Sequence, residues 1–353
     1  LVLGTTFATS AVSVVLLASS AAGLVPGSVA LSWLIVPAGL ARSYRKRVWQ
    51  VLQRVDSAAD DLTLLAELLA VLERASFESA RLSALRGALD GGARPSALIA
   101  RLRRLIAARD ALRNELARPF ALLLLVRTQA AAAIDRWHAA HRTSLAGWLQ
   151  AIGEFEAFAS LATLAFEHPD DPFPVLAAEG PVIEADALAH PLLHEHGAVR
   201  NDVRLGGAAP HLLIVSGSNM SGKSTLMRAV GANVVIALAG GPVRATRLRL
   251  SPVAIGVSIR VEDSLQEGHS RFYSEILRIR DIVELTRGRL PVLFLLDEIL
   301  HGTNSHDRRV GAEAIVRALV EAGAIGIVTT HDLALTALAG SLGARARNVH
   351  FQD

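Results

Sequence analysis

Residues 211–228, HLLIVSGSNMSGKSTLMR, decide how the rest of the chain is read. An apolar run leads into a glycine-bounded loop, and the loop leads into the start of a helix. Gly217, Gly222, Lys223 and Ser224 fill the pattern GxxxxGK(S/T), whose chemistry is phosphate binding. Glycines let backbone N–H groups close around the phosphates, the lysine reaches their outer oxygens, and the hydroxyl holds Mg²⁺. The chain has 34 Arg and only two Lys, Lys46 and Lys223. A sequence that otherwise uses Arg keeps a compact ammonium at this one loop position. A nucleotide site is therefore expected over Gly217, Ser218, Asn219, Met220, Ser221, Gly222, Lys223, Ser224 and Thr225. A coincidental turn is the competing reading.

The 353 residues leave room for two or three domains, and the absence of cysteine excludes disulfides and thiolate metal sites. The net charge of +3 says little about partners. The chain opens on Leu1 without a signal peptide and closes on an apparent strand, ARNVHFQD, so a piece of a longer protein is expected. Residues 1–41 carry no charged side chain. Leu1 to Leu24 is long enough to span a bilayer, Val25, Pro26 and Gly27 break it, and Ser28 to Leu40 is a second, shorter apolar run. Arg42, Arg45, Lys46 and Arg47 come directly after it, which places them on the cytoplasmic side. The reading is a transmembrane helical hairpin over 1–41, anchoring a cytoplasmic body to the inner (plasma) membrane. A buried hairpin of a soluble core competes with it.

Residues 42–178 read as a helical domain, with Leu62, Leu65, Leu69 and Leu72, and Leu98, Leu102, Leu105, Leu112 and Leu116, at helical spacing. Breaks fall at Gly91, Gly92, Pro95 and Pro119. Trp148, Ile152, Phe155, Ala159 and Phe166 form one stripe, expected to be core. Arg101, Arg103, Arg104, Arg109 and Arg113 are expected on a solvated helix face, with phosphate contact as the alternative. HPDDPFPVL, residues 168–176, looks like a domain junction. Beyond it, over 179–353, strands and helices alternate: strands at 181–183, 211–215, 254–261, 292–296 and 325–329, and helices at 223–238, 272–286 and 307–322. The alternation predicts an α/β layer on a mostly parallel sheet, with the site at the strands' carboxyl ends.

PVLFLLDE, residues 291–298, reads as a strand buried on both faces that delivers Asp297 and Glu298 beside the loop. There Asp297 would support Mg²⁺, and Glu298 would position and polarise an attacking water. His331 in VTTHDLAL stands just past the next strand, within reach of a γ-phosphate or that water. Gly268 and Ser270 in EGHSRFYSEI precede a helix, where a hydroxyl could meet a phosphate. His190, His194 and His196 lack the nearby acids a metal site would want, and His138 and His141 read as a solvated face.

SGSNMSGKST (216–225), GHSRFYSE, LLDEILHGTNSHD (295–307) and TTHD (329–332), in this order, resemble the MutS family of ATPases, as do HPLL (190–193) and RND (200–202). The resemblance covers about residues 180–353. It implies an ABC-type P-loop ATPase head of α/β fold, using ATP and Mg²⁺, that pairs as a homodimer with each nucleotide capped by the other subunit's signature-like loop. Carried onto this chain, Lys223 and Ser224 bind phosphate and Mg²⁺, Asp297 supports the metal, Glu298 activates water, His331 senses the γ-phosphate, and Ser270 acts in trans. The helical region looks like a reduced core and lever. Ser218 stands where the family usually has Pro, and His301 where Arg is common; neither removes a catalytic group. Nothing resembles the mismatch-reading domain, and the apolar hairpin resembles only a membrane-associated branch of the family. DNA is the partner the resemblance suggests; a membrane-tethered, nucleotide-switched scaffold that ignores DNA is the rival. An ABC transporter subunit is disfavoured, because no LSGGQ-like sequence precedes Asp297.

Overall fold

The computed structural model describes residues 2–53, 59–111, 123–194, 197–218, 220–259, 271–300, 304–331 and 333–351. The chain divides into two compact units, Leu1–Phe158 and Ala159–Asp353. The division falls inside a helix, ahead of the Pro-rich stretch at 168–176.

The first unit is helical throughout its described residues: α1 (Val2–Ala21), α2 (Gly27–Trp33), α3 (Ile35–Gln53), α4 (Ala59–Arg74), α5 (Ala80–Gly87), α6 (Pro95–Ala111) and the start of α7 (Val126–Glu167). Leu69, Leu89, Ile99 and Ile106 pack with Trp137, Trp148 and Ile152 into one core. Trp137 satisfies its indole by donating to the Leu98 carbonyl at 3.1 Å, as a buried N–H must. The stripe on α7 is core only as far as Phe155; Phe166 is exposed, so the expectation that the whole stripe is buried is corrected. Arg101, Arg103 and Arg104 lie on an exposed face of α6.

The apolar N-terminus departs from a two-armed hairpin. α1, at 20 residues, is long and apolar enough to cross a bilayer by length and composition. The second run is not one helix, because Pro37 has no N–H to give the Trp33 carbonyl four residues back. The chain breaks at Leu34, and α3 restarts with Pro37 in its first turn and runs on into Arg42, Arg45, Lys46 and Arg47. The packing of α1 is also inverted. Thr6, Ser10 and Ser13, at i, i+4 and i+7, form its buried face, while Phe7, Val14 and Val15 are exposed. The hydroxyls bond back to helix carbonyls, and across the unit Ser10 Oγ donates to the Leu124 carbonyl at 2.7 Å. Trp33 Nε1 donates to Ser13 Oγ at 3.0 Å, and Gln129 Nε2 to Ser10 Oγ at 3.0 Å.

The second unit is α/β. Its larger sheet is five-stranded and wholly parallel, in the order β6 (Ala254–Ser258), β7 (Val292–Asp297), β8 (Ile325–Thr330), β4 (Leu212–Gly217), β9 (Ala346–Phe351). The period of two along each strand sorts its side chains between two cores. Leu213, Val215, Leu293, Leu295 and Ile327 pack with Met227, Val230 and Val234 of α8 (Lys223–Leu238). Leu212, Ile214, Phe294, Leu296 and Val328 face α9 (Arg271–Leu285), α10 (Ser305–Glu321) and α11 (Leu333–Leu342). Gly326 in β8 belongs to this packing: a Cβ there would lie 2.3 Å from the Phe294 carbonyl oxygen and 2.4 Å from its ring.

A smaller mixed sheet, β1 (Val175–Leu176), β5 (Arg247–Leu250), β2 (Val182–Leu188), β3 (Asn201–Gly206), adds Ile183, Val203, Leu205 and Leu250 to the first core. Its antiparallel pairs were not expected from sequence. Asn233 of α8 ties the layers together: its Nδ2 donates to Ala189 and Ala229 carbonyls, and its Oδ1 accepts from Arg244 N at 2.7 Å. Buried Arg244 in turn reaches His168 and Asp171, so the acidic stretch after α7 is fastened to this core.

Candidate active site

Five buried residues of β4 bring the chain to Gly217. There φ is +151°, and a Cβ would stand 2.6 Å from the Phe351 carbonyl oxygen and 2.9 Å from Ser221 Oγ, so only glycine fits. The loop then turns through left-handed backbone at Met220 (φ 72°) and Gly222 (φ 94°), the kind of winding from which anion-binding nests are made. Gly222 caps the 16-residue α8, whose first turn carries no acid. The positive end of its dipole is thus left to attract an anion.

Lys223 is 5% exposed. A buried ammonium needs acceptors, and the loop supplies them: Nζ donates to the Gly217 carbonyl at 2.9 Å and to that of Ser218. Ser221 Oγ is buried with no hydrogen-bond partner among the described residues. Thr225 is exposed on the first turn of α8.

The strand register sets the carboxylates. Asp297, last in β7, pairs with Thr329 of β8, and β8 lies next to β4. Asp297 Oδ1 accepts from Ser224 Oγ at 2.9 Å and from Thr329 Oγ1. Two hydroxyls on one oxygen hold the carboxylate at the mouth of the loop. Glu298 N donates to the Thr329 carbonyl at 3.2 Å, and the residue takes φ 49°, which turns the chain out of the sheet. Its Oε1 lies 3.2 Å from His331 Nδ1. A cavity of about 20 Å³ beside this pair, bordered by Thr330 and Arg309, has room for one water.

The structure thus brings Ser224, Asp297 and Thr329 together, sets Glu298 against His331, and holds Lys223 on the loop formed with Gly217, Ser218, Met220, Ser221 and Gly222. Asn219, Ser270 and His301 lie outside the described residues. A hydroxyl and a carboxylate are hard oxygen donors of the kind Mg²⁺ takes when phosphates and waters complete its shell. The Ser221 hydroxyl, unpartnered among the described residues, and the close quarters around Gly217 fit a polyphosphate ligand beside it. His190 has its Nδ1 taken up by Leu192 N, which donates to it at 3.2 Å, while burial and the Arg228 charge push its imidazole below the usual value. Among the described residues no group of three His, Asp or Glu could hold a metal ion.

Two residues were missed in the sequence. Thr329 looked like part of a strand end, and only the register shows it on Asp297. Glu275 of α9 is 5% exposed, and its Oε1 accepts from Leu300 N at 2.6 Å. Leu300 sits at φ 61°, two residues past Glu298, so Glu275 clamps the turn that carries Glu298. Its signal was available: an acid at 275 on the stripe Phe272, Ile279, Ile282 breaks an otherwise apolar face. Asn304 caps α10 by accepting from Asp307 N at 2.8 Å.

These features define an α/β unit whose parallel sheet delivers a glycine-bounded anion loop and a hydroxyl-held carboxylate to the same strand ends. Residues 213–352 match the family model of MutS domain V. The chain is 35% identical over 224 residues to the DNA mismatch repair protein MutS of Haloquadratum walsbyi, an alignment covering 61% of this chain and 22% of that protein. It is 37% identical over 169 residues to the Endonuclease MutS2 of Thermomicrobium roseum, covering 47% and 21%. Over 236 residues it is 33% identical to the DNA mismatch repair protein MutS 2 of Halobacterium salinarum, covering 66% and 26%. Within the second unit, residues 213–352 carry the likeness to MutS domain V, and through them the chain is similar to the MutS family. It spans about a quarter or less of the length of these relatives.

Proposed function

We propose that this chain is a MutS-type ATPase that binds and hydrolyses ATP with Mg²⁺ and uses the closing and opening of a head dimer to act on DNA. The observation that carries the reading is the convergence of Ser224 and Thr329 on Asp297 beside the Lys223 loop. Bound ATP and Mg²⁺ supply the scissile phosphoanhydride and the charge that offsets its oxygens. Lys223, steadied by the Gly217 and Ser218 carbonyls, offers its ammonium to the phosphates. Ser224 and Asp297 are the oxygen ligands for the metal, and Thr329 keeps Asp297 in place. Glu298 accepts the proton of the attacking water, and His331 orients that carboxylate through Nδ1. The partner subunit's Ser270 completes the shell around the phosphates. Likeness to a family of DNA-associated ATPases, with relatives named for mismatch repair, supports DNA as the partner.

Glu298→Gln keeps the side chain's shape and removes the base, so ATP should bind while turnover falls about 100-fold or more. Phosphate release at the wild-type rate would remove Glu298 from the role. Light scattering on this variant should show ATP-dependent dimers; monomers at saturating ATP would sink the head-dimer reading.

The inverted packing of α1 favours a second reading, a membrane-tethered nucleotide switch that does not act on DNA. Binding to duplex and branched DNA across a salt series separates the two, since phosphate-driven binding weakens steeply with salt.

A further inference from the structure

From the geometry of the first unit we infer that the groove between α3 and the start of α7 binds the headgroups of anionic phospholipids while the exposed faces of α1 to α3 enter the acyl layer. The inference rests on the membrane-tethered reading of α1 and names the lipid that reading leaves open. In water a helix buries its apolar side; here Thr6 and Ser13 are 0% exposed, while Phe7 is 58%, Val15 63% and Ile35 74% exposed. Contiguous apolar surface of this kind marks a contact with something apolar. Hydroxyls bonded within and between helices are how helices meet where the solvent is lipid.

The cations just past the apolar stretch select the occupant. A groove of about 880 Å³ opens beside α3, bordered by Arg42, Arg45, Lys46 and Arg127 and floored in part by Ala38 and Leu125. All four cations are exposed, and none has a carboxylate partner among the described residues. Arg47, on the same helix, is instead held by Asp135 at 2.7 Å. Seven residues of helix separate Ile35 from Arg42, about 10 Å at 1.5 Å per residue. One interfacial layer is about 5–7.5 Å deep, so cations at that spacing span the headgroup layer when Ile35 reaches the acyl boundary. Trp49, 60% exposed on the groove's rim, is the residue type that prefers that layer. A soluble polyanion would find the charge but would leave the apolar faces in water; a neutral bilayer would cover the faces and leave four cations without counter-charge.

The test is flotation of the full chain with vesicles of phosphatidylcholine alone and vesicles in which part of it is replaced by phosphatidylglycerol. Each cation near an anionic surface contributes roughly fivefold in affinity, so wild type should prefer the anionic vesicles by at least about tenfold. The combined variant Arg42→Gln, Arg45→Gln, Lys46→Gln, Arg127→Gln should lose that preference and keep its binding to the neutral ones. These side chains are exposed, and an unchanged far-ultraviolet circular dichroism spectrum checks that the variant folds. Equal binding of wild type to both vesicles overturns the headgroup site and leaves the tether standing. Binding to neither overturns the tether and the site together. Loss of duplex DNA binding in the variant, with vesicle preference intact, would reassign the groove to nucleic acid.

Discussion

The sheet of the second unit and the first helix of the chain solve burial in opposite ways. In β4, β7 and β8 the strands are buried end to end, and the hydroxyls of Ser224 and Thr329 are gathered at the strand ends on one carboxylate. In α1 the hydroxyls of Thr6, Ser10 and Ser13 are inside and Phe7, Val12, Val14 and Val15 outside. A hydroxyl in the first setting positions a charge; in the second it bonds to a helix carbonyl or a neighbouring side chain and lets two helices meet. The sheet's unit is thus written for a shell of water, and the helix, on the proposed lipid contact, for acyl chains.

The contrast is most vulnerable at the sheet's centre. Phe294→Ala should cost about 3–5 kcal/mol in urea unfolding of the second unit, because a 0% exposed ring packed on Gly326 leaves a cavity. Asp297→Ala should lower Mg²⁺-dependent ATP turnover about 100- to 1000-fold with little change in stability, the loss of several kcal/mol of metal-borne stabilisation; a smaller effect on phosphate release would mean that the hydroxyl-held carboxylate is not the metal's ligand. Glu275→Ala should destabilise by about 1.5–3 kcal/mol through the lost acceptor for Leu300 N. It should also slow turnover without weakening ATP binding, since the turn bearing Glu298 is released. In α1 the ranking should invert relative to an ordinary core. Ser13→Ala, which removes the acceptor for Trp33 Nε1, should cost about 0.6–2 kcal/mol in detergent unfolding. Phe7→Ala should cost less than about 0.5 kcal/mol in the same assay. If Phe7 proves the costlier, the helix is an ordinary soluble one and the contrast collapses.

The frame of the second unit was legible because its strands are continuous apolar runs and its first helix is announced by GKS. β4, β7, β8 and α8 fall within two residues of where the sequence puts them. Of the mixed sheet only the start of β2 was legible, as a strand at 181–183; RLRL and NDVRLG are too short to show a period of two. At the site, the motif residues could be named from spacing alone, yet Thr329 and Glu275 could not, since one acts through strand register and the other through a turn in left-handed backbone. In the first unit, 41 uncharged residues pointed to lipid, but the break at Leu34 depended on one missing N–H at Pro37. The inversion of α1 depended on which face of an all-uncharged helix meets its neighbours, and that emerges only when the helices are packed.

The chain's economy in lysine gives it two built-in chemical reporters. Of its two side-chain amines, Lys223 is buried on the loop and Lys46 is exposed at the rim of the basic groove. An amine-acylating mass tag would therefore mark two side-chain positions, resolved as two peptides after digestion. Nucleotide would be read as a change in labelling at one and anionic lipid as a change at the other. A single protein preparation could then show whether occupancy at either place alters occupancy at its counterpart.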